Sequence, residues 1–503
     1  MSKRNVSVLL ILAILLILVL AACSTPVDKP QVPPPAPEQE EAAPAEEEAA
    51  AAEEETAPAE EPTPELVGDS LRGGLLYDKW WTPLGLDAPE EDHPLWAAQD
   101  TNTRSGADTW RCKECHGWDY KGVDGAYGDG SHMTGFMGVI QMAGGDANEV
   151  LEALLGATNP DHDFSAAMDE QALVDIALFI SGELMDYAEV IDAEKAAIGG
   201  DLTVGEELYQ DSCADCHGPE GAAIDFKANA LKTETISAIA NGNPWEFFHK
   251  MRFGQPTEAD MPPALDAGWS LEEQTAVLAY AQTLPNTNPA THGGLLYDKF
   301  WKAMGMDEPA GDQPLWATQS TNERSGADTW RCKECHGWDY QGANGAYSSG
   351  SHFTGFVGSI GAATMSAEEI ASWLDGTANA DHDFSAYFDE AATEMMVAFL
   401  QTNAVDMPQY INADKTVNGD AARGQEFYQA GCARCHGDDG KGIAFGDESD
   451  PEYLGDLALG NPWETLHKAA NGQPAEHMPG GLNLGWSWQD LADALAYIQT
   501  LGE

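Results

Sequence analysis

The feature that most constrains this chain is the placement of its cysteines. Eight of the nine cysteines form four Cys-x-x-Cys pairs, and a histidine follows each pair directly. The four motifs are Cys112/Cys115/His116, Cys213/Cys216/His217, Cys332/Cys335/His336 and Cys432/Cys435/His436. The stretches between motifs are long enough to form one small domain each. A fold that repeats a small unit around each motif is therefore expected.

The spacing within each motif has a chemical reason. Two thiols two residues apart on one helical turn can form thioethers to the two vinyl groups of one haem, and the adjacent histidine can ligate the iron. A redox dithiol does not need that histidine, and a zinc site would pair motifs that lie closer together. The sequence therefore predicts four covalently bound haem c groups, held by all eight motif cysteines and by four proximal histidines.

The chain also contains an internal duplication. The segments 104–120 and 324–340 are identical residue for residue, and each includes one Cys-x-x-Cys-His motif. A repeat of this length is a domain duplication and not a solenoid unit. The segment 285–292, which reads PNTNPATH, predicts the joint between the halves. Each half therefore carries two motifs.

The N-terminus has the pattern of a targeting segment. Lys3 and Arg4 precede an apolar run over 8–20, which is too short for a comfortable membrane span. The run ends in Leu-Ala-Ala followed by Cys23, which resembles the lipobox of bacterial lipoproteins. That resemblance implies a signal peptide over 1–22 and a lipidated Cys23, with an ordinary cleaved signal peptide as the alternative. Either way the protein is exported, and the lipid would anchor it to the outer face of the cell membrane or in the periplasm.

Residues 23–67 are rich in proline, alanine and glutamate, which predicts a disordered linker. The whole chain carries 84 acidic and 24 basic residues, a formal charge of −60. Such a surface repels the phosphates of nucleic acids, so nucleic-acid binding is excluded. It favours a basic redox partner through electrostatic steering, although solubility or a saline habitat would also account for the charge.

The second and fourth units resemble class I cytochromes c. A Gly-x-x-x-Tyr-x-x-x-Cys pattern leads into the motif at Cys213 and at Cys432, and a capping-box pattern opens a closing helix at Ser270 and at Ser487. The resemblance implies an all-α fold of four class I cytochrome c-like domains, arranged as two tandem dihaem repeats. The expected domains are 68–187, 188–286, 290–407 and 408–503.

The resemblance also implies the sixth iron ligand of the second and fourth units. Met261 and Met478 each precede a proline, as in the family's Met-Pro loop, and lie 44 and 42 residues beyond the proximal histidine. The thioethers of these two methionines are the expected ligands. His249 and His467 are rival ligands on a predicted helix.

The first and third units lack a Met-Pro loop. His162 and His382 each lie 46 residues beyond the proximal histidine, close to the methionine spacing of the other units. These two residues are therefore the predicted distal ligands, which would give bis-histidine coordination. His132 and His352, in the GSHxTGF segments, are the alternative pair.

Coordination decides the expected function. Iron with two protein ligands leaves no open position for a substrate, so the chain is expected to transfer electrons between redox partners. Methionine raises and imidazole lowers the potential, so low and high sites would alternate along the chain. A haem oxidoreductase of the thiosulfate dehydrogenase or peroxidase type, which needs an open or labile haem, is one alternative. A subunit of an extracellular cytochrome filament is another.

Overall fold

The computed structural model describes residues 65–257, 261–447 and 449–502. The α-helices are α1 Ser70–Lys79, α2 Cys112–His116, α3 Ala147–Leu154, α4 Glu170–Gly182, α5 Leu202–Ser212, α6 Ala214–His217, α7 Ile236–Gly242, α8 Pro244–Phe253, α9 Leu271–Ala281, α10 Pro289–Ala303, α11 Cys332–His336, α12 Ala367–Leu374, α13 Glu390–Thr402, α14 Ala421–Gly431, α15 Ala433–His436, α16 Leu454–Gly460, α17 Pro462–Asn471 and α18 Trp488–Leu501. The strands β1 Phe445–Asp447 and β2 Asp450–Glu452 form a small antiparallel hairpin.

The remaining regular structure consists of short 3₁₀ turns in the described residues. These are Pro94–Ala98, Gly106–Trp110, Gly130–His132, Ile140–Met142, Pro160–His162, Tyr187–Glu189, Pro314–Thr318, Gly326–Trp330, Ile360–Thr364 and Met407–Gln409. The predicted all-α fold is confirmed. None of the helices over 65–257, 261–447 and 449–502 is long and apolar enough to cross a membrane. The predicted signal peptide, Cys23 and most of the predicted linker lie outside the described residues.

One helix pair recurs four times. The first long helix of each unit packs against the last, as α1 on α4, α5 on α9, α10 on α13 and α14 on α18. A glycine on the first helix lies so close to the last that an added β-carbon would overlap a backbone carbonyl. The pairs are Gly73 with Asp175, Gly205 with Ala276, Gly293 with Met395 and Gly424 with Asp493. Only glycine permits so close an approach, so the first and last helices cross in the same way in all four units.

The capping boxes predicted from the sequence are present at the start of α9 and α18. Ser270 accepts a hydrogen bond from the backbone of Glu273, whose carboxylate accepts from the Ser270 backbone. Ser487 and Asp490 make the same exchange. These boxes fix where each closing helix begins, and therefore the position at which the helix crosses its partner.

The apolar core falls into two clusters that follow the duplication. One is built from residues of the first half, among them Tyr77, Phe179 and Phe248. The other is built from the second half, with Tyr297 and Phe399 at corresponding positions, and it also includes Ala230 of the second unit. Each cluster joins the two units of one half, so each half is a continuous packed body.

Candidate haem-binding sites

Each Cys-x-x-Cys-His motif includes a short helix that ends at the histidine. The helices are α2, α6, α11 and α15, and a glycine with positive φ follows each one. At Gly117 and Gly337, for example, φ is 77°. A left-handed residue at this position suits glycine because a β-carbon would be strained there. The chain therefore turns away directly after each proximal histidine.

A tyrosine on the first helix of each unit holds this turn. Its hydroxyl donates to the carbonyl of the glycine that follows the motif, at 2.6 to 2.9 Å. The donors are Tyr77, Tyr209, Tyr297 and Tyr428. Sequence analysis recognised the tyrosine only in the second and fourth units. In the other two the same Gly-x-x-x-Tyr pattern stands in GGLLYDK, before a tryptophan-rich segment, and that pattern was the available signal.

The motif cysteines are all free thiols in the described part of the chain. Burial raises the pKa of the first cysteine of each motif to about 12. These are Cys112, Cys213, Cys332 and Cys432. Redox-active dithiols have the opposite character, because they depend on a lowered thiol pKa. The first thiol of each motif therefore lacks the lowered pKa on which redox dithiols depend.

Exposure differs among the motif cysteines. Cys216 and Cys435, the second cysteines of the second and fourth motifs, are exposed, whereas the other six motif cysteines are buried or half-buried.

The motif helices also differ in length. The helices α6 and α15 have four residues and begin after the first cysteine. The helices α2 and α11 have five residues and include both cysteines. A thioether at an exposed position would hold the edge of a haem that reaches the surface, so Cys216 and Cys435 are kept below as proposed attachment residues.

The structure brings His116 and His162 together in the first unit. Their ring centres are 6.2 Å apart. The Nδ1 atom of His116 donates to the carbonyl of Met137 at 2.7 Å, and that of His162 donates to Ala153 at 3.1 Å. Both rings therefore have Nε2 as the atom available to a metal. Burial, and then His162, lowers the pKa of His116 to about 4, so its ring is neutral, as a metal ligand must be.

The third unit repeats this geometry. The ring centres of His336 and His382 are also 6.2 Å apart, and their Nδ1 atoms donate to the carbonyls of Val357 and Trp373 at 2.7 and 2.8 Å. Two imidazoles bound to one metal from opposite sides have ring centres about 6 Å apart, since each metal–nitrogen bond is about 2 Å. Carbonyl bonds of this kind orient imidazole ligands. The residues present therefore fit a bis-imidazole iron site.

His132 and His352 lie elsewhere. His132 stacks on Tyr127 with ring centres 4.8 Å apart, and its Nδ1 is 3.8 Å from a carboxylate oxygen of the buried Glu114. His352 has the same surroundings, stacked on Tyr347 at 4.8 Å. His132 and His352 therefore each belong to a polar cluster that includes a glutamate of the motif helix, Glu114 or Glu334.

In the second and fourth units the proximal histidines lack the Nδ1 hydrogen bond that orients those of the first and third units. Nδ1 of His217 and of His436 has no hydrogen-bond partner among the described residues. Burial lowers the pKa of His217 to about 4 and also lowers that of His436. Met261 and Met478 are half-buried. Their loops pack against the glycines that end α8 and α17, so both methionines occupy matching places in their units.

The rival ligands His249 and His467 use both ring nitrogens on protein atoms. His249 bonds through Nδ1 to the Tyr120 hydroxyl at 2.8 Å and through Nε2 to the Gly74 carbonyl at 3.0 Å. His467 makes the matching contacts at 2.7 and 3.0 Å. These buried rings join the two units of each half, and neither nitrogen is free for iron.

Sequence analysis missed a further histidine beside the first site. His93 is 5% exposed, its ring centre is 6.4 Å from that of His162, and its Nε2 has no partner among the described residues. Burial, and then His162, lowers its pKa to about 4. The corresponding residue of the second half is Gln313, whose amide donates to the Asp381 carbonyl at 2.7 Å. The difference between His93 and Gln313 was the sequence signal that could have pointed to this position.

A buried ionic network also joins the units of each half. Asp78 is 1% exposed and pairs with Arg111 of its own unit and with Lys250 of the next. Burial alone would raise the pKa of Asp78, but Lys250 and Arg111 lower it well below its usual value. Asp298 has the same pair of partners in the second half, and its pKa is lowered to about 2.

Four helical units, each with a Cys-x-x-Cys-His helix, define a c-type cytochrome. Two family models match the chain: residues 421–502 match the model described as cytochrome c, and residues 200–281 match the model described as cytochrome c oxidase, cbb3-type, subunit III. The chain is a class I multihaem cytochrome c.

The relatives found are similar over part of the chain. The cytochrome bc1 complex cytochrome c subunits of Mycobacterium tuberculosis and Mycobacterium bovis are 28% identical over 181 residues, which is 34% of this chain. The chain spans 60% of the length of these relatives. Among solved structures, a thiosulfate dehydrogenase from Marichromatium purpuratum is 18% identical, covers 81% of this chain and 89% of its own, and has a TM-score of 0.19. So low a score carries no argument.

Proposed function

We propose that this chain is a tetrahaem electron carrier that transfers electrons between redox proteins outside the cytoplasm. The observation that carries the proposal is the pairing of His116 with His162 and of His336 with His382, whose ring centres are 6.2 Å apart in both pairs. Iron held by two imidazoles has no open position, so the chemistry left to it is the gain and loss of one electron.

The proposed attachment and ligand set follows the four units. The eight motif cysteines hold the haems, with the exposed Cys216 and Cys435 at the surface of their units, and His116, His217, His336 and His436 are the proximal ligands. His162 and His382 are the distal ligands of the first and third units, and Met261 and Met478 those of the second and fourth. The two core clusters and the four recurring helix pairs support domains over 68–187, 188–286, 290–407 and 408–503.

The proposed partners are redox proteins with basic docking surfaces. A net charge of −60 favours such partners by electrostatic steering. The similarity to a subunit whose name places it in a cytochrome bc1 complex supports exchange with a membrane redox complex. We propose attachment at the outer face of the membrane, or in the periplasm, through lipid on Cys23.

The number of haems tests the central proposal. Protein matured in a host that attaches haem should show four haem additions by mass spectrometry of the denatured chain, because thioether bonds survive unfolding. The variant Cys112→Ala should weaken or remove one attachment and keep the other three, since each unit has its own motif helix. Two or fewer additions on fully matured protein would contradict the proposal.

The lipid anchor has its own test. Wild-type protein should partition into the detergent phase, and Cys23→Ser should leave it in the aqueous phase or unprocessed, because several acyl chains give stable anchoring. Mass spectrometry of the mature N-terminus measures the lipid directly. The matched control is Ser24→Ala, which leaves the acceptor cysteine in place. A mature N-terminus without lipid would show that only a signal peptide is present.

A further inference from the structure

In the part of the chain that the structure describes, the two halves meet at a loop of the second unit. The loop 218–230 bonds to the second half in four places. Asn483 Nδ2 donates to the Ala222 carbonyl at 3.0 Å, His477 Nδ1 donates to the Asp225 carbonyl at 3.0 Å, Asn229 Nδ2 donates to the Met304 carbonyl at 3.2 Å, and the Ala230 amide donates to the Ala303 carbonyl at 2.8 Å.

The contact with the fourth unit involves segments next to proposed iron ligands. Gly218 follows His217 directly and packs on the Asn483 backbone so closely that a β-carbon would overlap its carbonyl. Asn483 lies five residues beyond Met478. The equivalent glycine of the fourth unit, Gly437, would meet only atoms of its own loop. The proximal side of the second site therefore lies against the distal loop of the fourth.

This junction is closely packed. The cavity beside it has a volume of about 30 Å³ and is lined by Met478, His292 and Asn483, room for about two waters at most. Asn483 also accepts a hydrogen bond from Thr291 at 3.0 Å, which ties the loop to the start of α10. The second and fourth units are therefore in direct contact at this junction.

The contact with the third unit is made by residues that lie farther along the chain from the proposed iron ligands. Asn229 and Ala230 lie twelve and thirteen residues beyond His217. Their partners, Met304 and Ala303, stand at the end of α10, well before the third motif in the chain. The interface between the halves thus approaches one ligand-bearing loop of the second half, in the fourth unit.

We infer that electrons cross between the halves at the contact of loop 218–230 with segment 477–485, from the second unit to the fourth. This inference rests on the proposed function. With haem held by the ligands proposed for these two units, one electron would pass from a ferrous iron, which becomes ferric, to a ferric iron, which becomes ferrous, with no bond made or broken. The order of sites is then first, second, fourth, third. In this order the two methionine-ligated sites are neighbours at the centre. Sites of low and high potential then do not alternate, as the sequence suggested they would.

Contacts within each half suit this order. The Trp118 ring of the first unit lies 5.0 Å from the His249 ring of the second, and the Trp338 ring of the third lies 4.9 Å from the His467 ring of the fourth. The same buried aromatic contact therefore joins the outer unit to the inner unit in both halves. The two histidine-ligated sites occupy the ends of the order.

The test is the rate at which electrons redistribute between the halves after rapid partial reduction of the full-length holoprotein. Asn483→Asp places a carboxylate oxygen against the Ala222 carbonyl and should slow redistribution several-fold, with haem content unchanged. Asp266→Asn, at the equivalent exposed position of the second unit, is the matched control. Asn229→Ala, which weakens the contact with the third unit, should change the rate less than Asn483→Asp does.

Hydrogen exchange gives a readout that does not depend on electron transfer. The Ala230 amide should be protected in the wild type, and Asn483→Asp should raise exchange across 218–225. Two results would overturn the inference: an unprotected loop in the wild type, or a larger slowing in Asn229→Ala than in Asn483→Asp. Failure of the proposed function is distinguishable, since it would appear as missing haems or as sites that do not exchange electrons at all.

Discussion

Replacing His162 with alanine should convert one haem from low-spin to high-spin and create a new carbon monoxide site. The ring of His162 is positioned 6.2 Å from that of His116, and its Nδ1 is held by the Ala153 carbonyl. Loss of the ring leaves one axial position without a protein ligand, and an open position on iron binds carbon monoxide. His382→Ala should do the same in the third unit. Optical and EPR spectra measure both changes.

The matched control is His132→Ala, with His352→Ala in the second half. His132 stacks on Tyr127 and lies near Glu114, so its loss should leave all haems low-spin and shift a potential only modestly. His162→Met should move one haem upward in potential wherever the thioether reaches iron. A high-spin signal in His132→Ala together with an unchanged spectrum in His162→Ala would reverse the ligand assignment.

Asp78→Asn should destabilise the first half by about 3 kcal/mol, because it leaves Arg111 and Lys250 buried without their carboxylate. Guanidinium unfolding monitored by circular dichroism measures this loss as a lower midpoint. Asp108→Asn is the control, since Asp108 is an exposed partner of the same arginine at 3.5 Å. An exposed pair contributes about 1 kcal/mol at most. Equal effects of the two variants would show that Asp78 is not the centre of the network.

The same network predicts how stability depends on pH. The pKa of Asp78 is lowered in the folded state, and that of Asp298 is lowered to about 2, because Lys and Arg partners outweigh the cost of burial. The unfolded pKa of aspartate is about 3.9. Stabilisation is therefore complete above about pH 4 and is lost as pH falls towards the folded pKa. In Asp78→Asn the acid dependence of the midpoint should be shallower than in the wild type.

The parts of this fold that were predicted from sequence depend on residues close together in the chain. The motif helices, the closing helices and the capping boxes at Ser270 and Ser487 each rest on a pattern a few residues long. The Met-Pro loops and the predicted distal histidines rest on spacing alone. The structure brings His162 and His382 to the proximal histidines, and places Met261 and Met478 at matching positions.

The parts that were not predicted join residues far apart. Asp78 and Lys250 are 172 positions apart, and the Tyr120 hydroxyl reaches His249 across 129. No local pattern pairs such residues, since their proximity follows from how two units pack. The hydrogen-bond partners of His249 could therefore not be named from the sequence. The contact of Asn483 with Ala222 spans 261 positions, so the arrangement of units was likewise beyond the sequence.

The exposure of individual motif cysteines was also beyond the sequence. All four motifs have the same spacing, yet Cys216 and Cys435 are exposed while Cys115 and Cys335 are half-buried. Exposure depends on what the rest of each unit places around the motif helix, and the motif itself contains no information about those surroundings. Equal motifs therefore predict equal chemistry but not equal burial.

The first unit has an ion pair between Arg72 and Asp175 at 2.6 Å, and the fourth unit has the matching pair between Arg423 and Asp493 at 2.5 Å. The corresponding positions of the third unit hold His292, which is buried beside loop 218–230, and Met395. A gene encoding the first half twice would place an arginine–aspartate pair under that loop, where removing both charges from water is costly. Two identical copies of the first half would therefore form a less stable junction than the two halves of this chain do.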